Sequence, residues 1–347
     1  MSSKKNSRLT QRDIARLAGV SQPTVSLVLN KRGDATARIP DETRERVLRV
    51  IRETGYVADP AARQLVKRRN RLLGVFTYEP VFPSTQADFY TPFLLGIEET
   101  AEALGYDLLL FTSAPVDGGR RKIFHDNNRL RLADGCLILG RVQDADELER
   151  LLAENYPFVT IGRRESGAGA MAYVGADYAA ATGLLVGRAI ELGHRKLAYV
   201  GPFYDVESSR DRFAGFTATA SQKQIPFVRE QVRDRSPSDI LDAVLRSGAT
   251  AAFFEDMADA AAALQVALAR GLSIPGDMSF VALGDPTRPI ATHVDITSFR
   301  IPRVEMGRQA VTLLAALLDG DDVKRQLLLP CEPNDGPTLG PPRQGGG

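Results

Sequence analysis

The sequence predicts a small all-α head of helix-turn-helix type followed by an α/β body of two doubly wound lobes. Three observations carry this reading. Residues 1–71 hold 17 Lys and Arg against 7 Asp and Glu, and the remaining 276 residues hold 27 against 36, so a basic head precedes an acidic body. Two short helical patterns in the head are separated only by Gly19-Val20. In the body, seven short apolar runs alternate with amphipathic stretches, the texture of parallel sheets covered on both faces.

The first helix starts at Thr10, whose hydroxyl can cap it, with Asp13 placed to favour its positive end. Ile14, Leu17 and Ala18 then share one face at helical spacing. Gly19 supplies the left-handed residue that a tight turn needs. Ser21 is the next N-cap, Pro23 sits in the first turn where its missing N–H costs little, and Val25, Val28 and Leu29 form the apolar face. Gly33 and Pro40 punctuate a loop, and Asp41 to Thr54 make a third helix with Val47, Leu48 and Ile51 inward.

Such a module works by presenting the start of its second helix to a major groove. Gln22, Thr24, Ser26 and Leu27 are the groove-facing candidates: Gln22 can pair with both edge atoms of adenine, and Leu27 can meet a thymine methyl. Ser21, Lys31 and Arg32 are candidates for phosphate contacts, with Thr10, Pro23, Asn30 and Tyr56 completing the set. A bare three-helix bundle with no such role has the same helices, but it leaves the charge excess without a purpose.

The stretch RLTQRDIARLAGVSQPTVSLVLN, from Arg8, with its continuation IPDETRERVLRVIRETGYVADPAARQLV, closely resembles the N-terminus of the LacI/GalR family of bacterial repressors. The resemblance implies a transcriptional regulator, a repressor, that binds a palindromic double-stranded operator as a homodimer. Asp59-Pro60 reads as a cap and first residue of a hinge helix too short to hold helicity alone, and the whole segment 59–71 as hinge and linker after a head of residues 1–58. In the family the residue matching Leu65 wedges into the minor groove with Ala62 beside it; packing of Leu65 on the body is the other reading. Two departures stand out. Ala58 occupies the place of the usual hinge proline, and Leu27 stands where the family often carries a base-reading arginine, so the operator cannot be copied from relatives.

LLGVFTY, YDLLLFTS, DGCLILG, PFVTIG, KLAYVG, TAAFFE and MSFVALG are the expected strands, with Phe93–Leu104 and Tyr178–Leu192 among the expected helices. From about Leu72 to Pro342 the chain resembles the family's periplasmic-binding-protein-like portion, in stretches such as FYTPFLLGIEETAEALGYDLLL and ARGLSIPGDMSFVALGD. That implies two lobes, about 72–175 with 302–326 and about 176–299 with 327–342, joined by three crossings and holding a small-molecule effector between them. A frayed tail is expected from the Pro- and Gly-rich Glu332–Gly347, with residues 343–347 outside the body.

Phe89 and Tyr90 align with an aromatic pair that stacks on ligands in relatives, although ordinary core packing fits them as well. Arg212 matches an arginine that grips sugar hydroxyls or a carboxylate, a helix-surface ion pair being its other reading. Asp256 takes the place of a ligand-contacting asparagine, and Asp285 completes the candidate effector set. Acids that the family carries are missing: its usual Asp-Asp reads Gly284-Asp285, and Gly162 and Met257 stand where aspartates are usual. The effector is therefore expected to be sugar-like or larger, phosphorylated or not a sugar; a regulator that ignores small molecules is the alternative.

An enzyme is not expected. GAGAMA (Gly167–Ala172) mimics a dinucleotide fingerprint but lacks the preceding strand and following helix, and no phosphate-cradling, GxSxG or HExxH motif occurs. His194 reads as a helix-end cap or surface residue. The three His and two Cys lie too far apart for a metal site, no cofactor is implied, and Cys136 and Cys331 suit reduced thiols. No apolar run approaches the ~18 residues of a membrane span, and the N-terminus lacks an export signal, so a cytoplasmic address is expected. A ligand-binding protein without a regulatory role would leave residues 1–66 unexplained.

Overall fold

The Thr10 hydroxyl accepts from the Asp13 amide while the Asp13 carboxylate accepts from the Thr10 amide, and this reciprocal cap opens the first helix, α1 (Gln11–Ala18). The computed structural model describes residues 9–30, 39–56, 70–80, 89–165, 171–286, 290 and 294–343. The chain divides into two units, 1–70 and 71–347. In the first, α1 closes on Gly19 in the left-handed region (φ 64°), followed by α2 (Gln22–Asn30) and α3 (Asp41–Thr54). Ile14, Val25 and Val47, one from each helix, are fully buried. The face of α1 differs from the one expected: Ala15 is buried beside Ile14 and Ala18, whereas Leu17 is 54% exposed, because a three-helix core this small accepts only the narrow stripe of α1 that meets α2 and α3.

The second unit begins with β1 (Leu72–Thr77), α4 (Thr91–Leu104) and β2 (Asp107–Phe111), then a small hairpin of β3 (Val116–Asp117) and β4 (Arg120–Arg121). Next come β5 (Gly135–Leu139), α5 (Ala145–Ala153), β6 (Phe158–Ile161), β7 (Tyr173–Ala176) and α6 (Tyr178–Glu191). The chain continues through β8 (Leu197–Gly201), α7 (Glu207–Gln222), β9 (Phe227–Gln231), α8 (Pro237–Ser247), β10 (Ala251–Phe254), α9 (Met257–Ala269) and β11 (Ser279–Ala282). It ends with β12 (Ser298–Arg300), α10 (Arg303–Asp319), β13 (Gln326–Leu329) and β14 (Glu332–Asn334).

Two parallel sheets result, in the orders β13-β7-β6-β5-β1-β2 and β11-β10-β8-β9. All seven apolar runs are strands within them, and β1, β5, β6, β8, β10 and β11 are buried nearly throughout, as sheets covered by helices on both faces require. The chain changes lobe at Asp177, again between β12 and α10, and finally after β13. Because β13 pairs with β7, residues 327–329 belong to the first lobe, three residues past the boundary that the resemblance implied. In each sheet the strand order reverses once, between β1 and β5 and between β8 and β10, and crevices at the C-terminal ends of strands open at such reversals.

As far as residue 343, the last one described, the tail is held, not frayed. Thr338 is 1% exposed, with its hydroxyl donating to the Phe280 carbonyl at 2.6 Å and its own carbonyl accepting from the Phe280 amide at 2.9 Å. His194 is fully buried, correcting its reading as a cap or surface residue: its ring bridges the Thr250 hydroxyl (2.7 Å) and the Gly340 carbonyl (2.9 Å). Burial pulls its pKa below the ordinary value, which keeps it neutral with one nitrogen donating to Gly340 and the other accepting from Thr250.

Candidate functional site

In the head, Ser21 caps α2: its hydroxyl accepts from the Thr24 amide at 3.3 Å and lies 2.8 Å from the Thr24 hydroxyl. This fixes the first turn so that Ser21, Gln22 and Pro23 stand exposed, with Thr24, Ser26 and Leu27 half-buried behind them. Arg12, on α1, donates from Nε to Gln22 Oε1 at 3.4 Å, so a cation steadies the amide best placed to meet a base edge. Arg12 escaped the sequence reading, since nothing in the spacing along α1 reports a contact with α2. Thr10 serves as the cap of α1, and its N–H and hydroxyl hold the Asp13 carboxyl below the usual range. Tyr56 packs in the head's core at 9% exposure, which makes it a support for the bundle rather than an offered surface. Arg46 ties α3 to the end of α1 by donating to the Ala18 carbonyl at 3.0 Å. Lys31, Arg32, Ala62 and Leu65, with the side chain of Asn30, lie outside the described residues.

In the body, the strand reversal of the first lobe delivers Glu79 after β1 and Arg141 after β5. Tyr90, 5% exposed, donates its hydroxyl to Glu79, whose carboxylate also accepts from the Arg141 amide at 3.3 Å; burial and this neighbouring acid push the phenol's pKa up. Phe89 meets Tyr90 edge-on at 5.0 Å, with the Arg141 guanidinium 4.7 Å from its ring centroid and that of Arg303 at 5.6 Å. Tyr90 thus packs in the core, as the second reading expects, while Phe89 is half-buried beneath two cations.

Arg212 projects from α7 of the second lobe and is 8% exposed. Its Nε donates to the Leu283 carbonyl at 2.6 Å, Nη1 donates to the Ser208 carbonyl at 2.9 Å, and the guanidinium lies 3.8 Å over the Tyr178 ring. This is a burial site, not a helix-surface ion pair. Gly284 (φ 150°) passes close by, so that a Cβ there would stand 3.5 Å from Arg212 Nη2. Asp285 accepts from the Ile301 amide at 3.1 Å and pairs with Arg303. Asp256 caps α9 by accepting from the Ala258 amide at 2.8 Å. The residue before it, Glu255, follows β10 and takes hydrogen bonds from Ser209 and, at 3.2 Å, from Tyr199.

Cys331, read from sequence only as a thiol, lies just past the third crossing. Its half-buried sulfur, pushed up to about 12 by burial, sits in the field of Arg212, Asp177, Asp285 and Arg303. A cavity of about 390 Å³ is lined by Asp285 together with Met257, Ile290, Ile296 and Arg300 among others. No described helix is long and apolar enough to cross a membrane.

Comparison with known proteins matches residues 10–59 to the model of bacterial regulatory proteins of the lacI family, and residues 186–338 to that of the periplasmic binding protein-like domain. The sucrose operon repressor of Klebsiella pneumoniae is 33% identical over 228 residues, covering 66% of each chain. The HTH-type transcriptional regulator CelR of Thermobifida fusca is 29% identical over 343 residues, covering 90% of this chain and 93% of that protein. Among solved structures, the lac repressor dimer bound to operator and an anti-inducer superposes with a TM-score of 0.73 at 23% identity, over 96% of this chain and 99% of that one.

Proposed function

Because this chain belongs to the lacI family of bacterial regulatory proteins, we propose that it is a cytoplasmic repressor whose paired heads read an inverted-repeat operator and whose cleft binds a small-molecule effector. The observation that carries the reading is the Ser21-capped start of α2, which offers Gln22 to a groove with Arg12 steadying it. Two heads bound to one duplex about one helical turn apart would read symmetric half-sites. The excess of cations in residues 1–71 supplies the sequence-independent part of the affinity. Leu65 and Ala62 are proposed as the minor-groove contacts of the hinge, with Lys31, Arg32 and Asn30 on the backbone.

In the body, Phe89, Arg212 and Asp285 are proposed to face the effector, with Tyr90 and Asp256 holding the walls. A ligand that binds one arrangement of the lobes better than the other shifts the population of operator-competent dimers by that difference in affinity.

Selection of random duplexes with the full-length protein tests the reading. An enriched inverted repeat is expected, bound in preference to random DNA over a range of ionic strengths. Equal affinity for all sequences would overturn it.

A further inference from the structure

Arg303 opens α10 directly after the second crossing and is 6% exposed. Its Nη1 pairs with Asp285, while Nε and Nη2, both sealed from solvent, have no hydrogen-bond partner among the described residues. Those two atoms are not a random pair. Their N–H bonds run parallel along one edge of the guanidinium, the two-pronged edge that fits a carboxylate or a phosphate.

Elsewhere in this chain that same edge holds an acid. Arg163 reaches Asp211 Oδ2 from Nε at 2.8 Å and Oδ1 from Nη2 at 2.6 Å. Arg308 reaches Glu99 Oε2 from Nε at 3.1 Å and from Nη2 at 2.8 Å. Buried charged donors left unpaired are costly, and a fold retains them where something else completes them.

The surroundings favour an anion. Arg303 lies by the Phe89 ring on which Arg141 also rests. Arg212 shares the neighbourhood of Cys331 with Arg303, and it donates from Nε and Nη1 to backbone carbonyls. Glycine at 284 places no side chain against the Arg212 Nη2.

We propose that the cleft takes an acidic effector, a phosphorylated or carboxylic small molecule, whose anionic group is gripped by the Nε–Nη2 edge of Arg303. The inference rests on the effector reading above and names the chemical class of its ligand. Asp285 keeps Nη1, so Arg303 binds two acids on two edges, one from the protein and one from the ligand.

The test uses the full chain and inorganic phosphate, titrated against potassium chloride at matched ionic strength, with thermal stability as readout. A saturable rise in melting temperature is expected, with the apparent Kd weakened about tenfold in Arg303→Gln and only partly in Arg303→Lys. Because phosphate also meets the basic head, the comparison between variants is what counts. An equal response in wild type and Arg303→Gln, or no saturable response, overturns the proposal. Asp285→Asn gives a second route that leaves Arg303 intact: phosphate should bind more tightly, and unchanged or weaker binding counts against the proposal.

Parallel titrations of operator binding with glucose, gluconate and glucose 6-phosphate separate the two sources of the anion. A change in operator affinity with gluconate, of either sign, points to a carboxylate, and one with the phosphate ester to a phosphorylated ligand. A neutral sugar that shifts operator binding more than its acid counterparts sinks the anionic class and leaves the effector reading standing. Operator binding that ignores all three compounds, in wild type and Arg212→Ala alike, counts against both.

Discussion

Arg163 clasps Asp211 with both prongs of its guanidinium, at 2.8 and 2.6 Å, and the pair spans the two lobes: Arg163 follows β6 in the first and Asp211 lies on α7 of the second. The same two segments meet again where Arg164 reaches Glu207 at 3.5 Å and Arg210 reaches Glu165 at 3.4 Å. With side chains only 20% and 18% exposed, Arg163 and Asp211 are shielded enough for the bond to matter, unlike the open Arg210 pair. Asp211→Asn should cost about 1–3 kcal/mol in urea unfolding of the body and enlarge its radius of gyration in solution scattering. An unchanged unfolding midpoint together with an unchanged radius would show that the lobes are held by other contacts.

Where α4 crosses α10, backbone meets backbone. A Cβ on Gly96 would lie 1.9 Å from the Val304 carbonyl oxygen, and one on Gly307 would lie 2.3 Å from that of Phe93. Neither helix can yield without moving the sheet beneath it, so Gly96→Ala should destabilise by about 3 kcal/mol or more. Gly187, inside α6, has no atom within 4 Å of its Cβ position, and there alanine should stabilise by about 0.5–1 kcal/mol. Denaturant melts of the two variants should therefore move in opposite directions; a shared sign would contradict the packing.

His194 sets a pH dependence. Burial lowers its pKa from the ordinary 6.5, so the folded chain resists a proton that the unfolded chain accepts. Above that value both states are neutral and nothing is lost. As pH falls below it, the unfolded state is favoured progressively until the folded pKa is reached, at a limiting slope of about 1.4 kcal/mol per pH unit. Thermal melts of the wild type between pH 7 and 5 should show this loss, and His194→Gln should flatten it. Parallel curves for the two proteins would place the titrating group elsewhere.

What the sequence made legible follows from where the information lies. The central strands were readable because burial on both faces forces unbroken apolar runs such as LLGVFT and GCLIL. β9 and β13 were not, since FVREQ and QLLL mix covered and open positions and carry polar residues, whereas β2, an edge strand too, keeps an apolar run. The head was readable because caps and turns are local chemistry. His194 was not, because its partners lie 56 and 146 residues away. The unpaired edge of Arg303 was equally hidden, for it depends on which atom of which residue Asp285 takes once the lobes are assembled. Tail composition misled because Pro and Gly report how freely an isolated segment moves, not that Thr338 stitches it to β11.

The base-reading role of the head can be decided at Gln22. Its amide is exposed and restrained by Arg12 at 3.4 Å, and an amide held in one orientation offers adenine a donor and an acceptor together. Gln22→Ala should erase about 1–3 kcal/mol of preference at one base pair in each half-site while leaving the other positions as they were. Arg12→Ala should act differently. Losing a cation near the duplex lowers affinity for all sequences and reduces the salt dependence by about one charge per head. If Arg12 also orients the amide, the same variant should blur the preference at the Gln22 position and nowhere else. Selection profiles of the two variants, measured at two salt concentrations, separate reading from steadying: a Gln22→Ala profile identical to wild type would move the base contact to Ser26 or Leu27, the half-buried neighbours on the same helix.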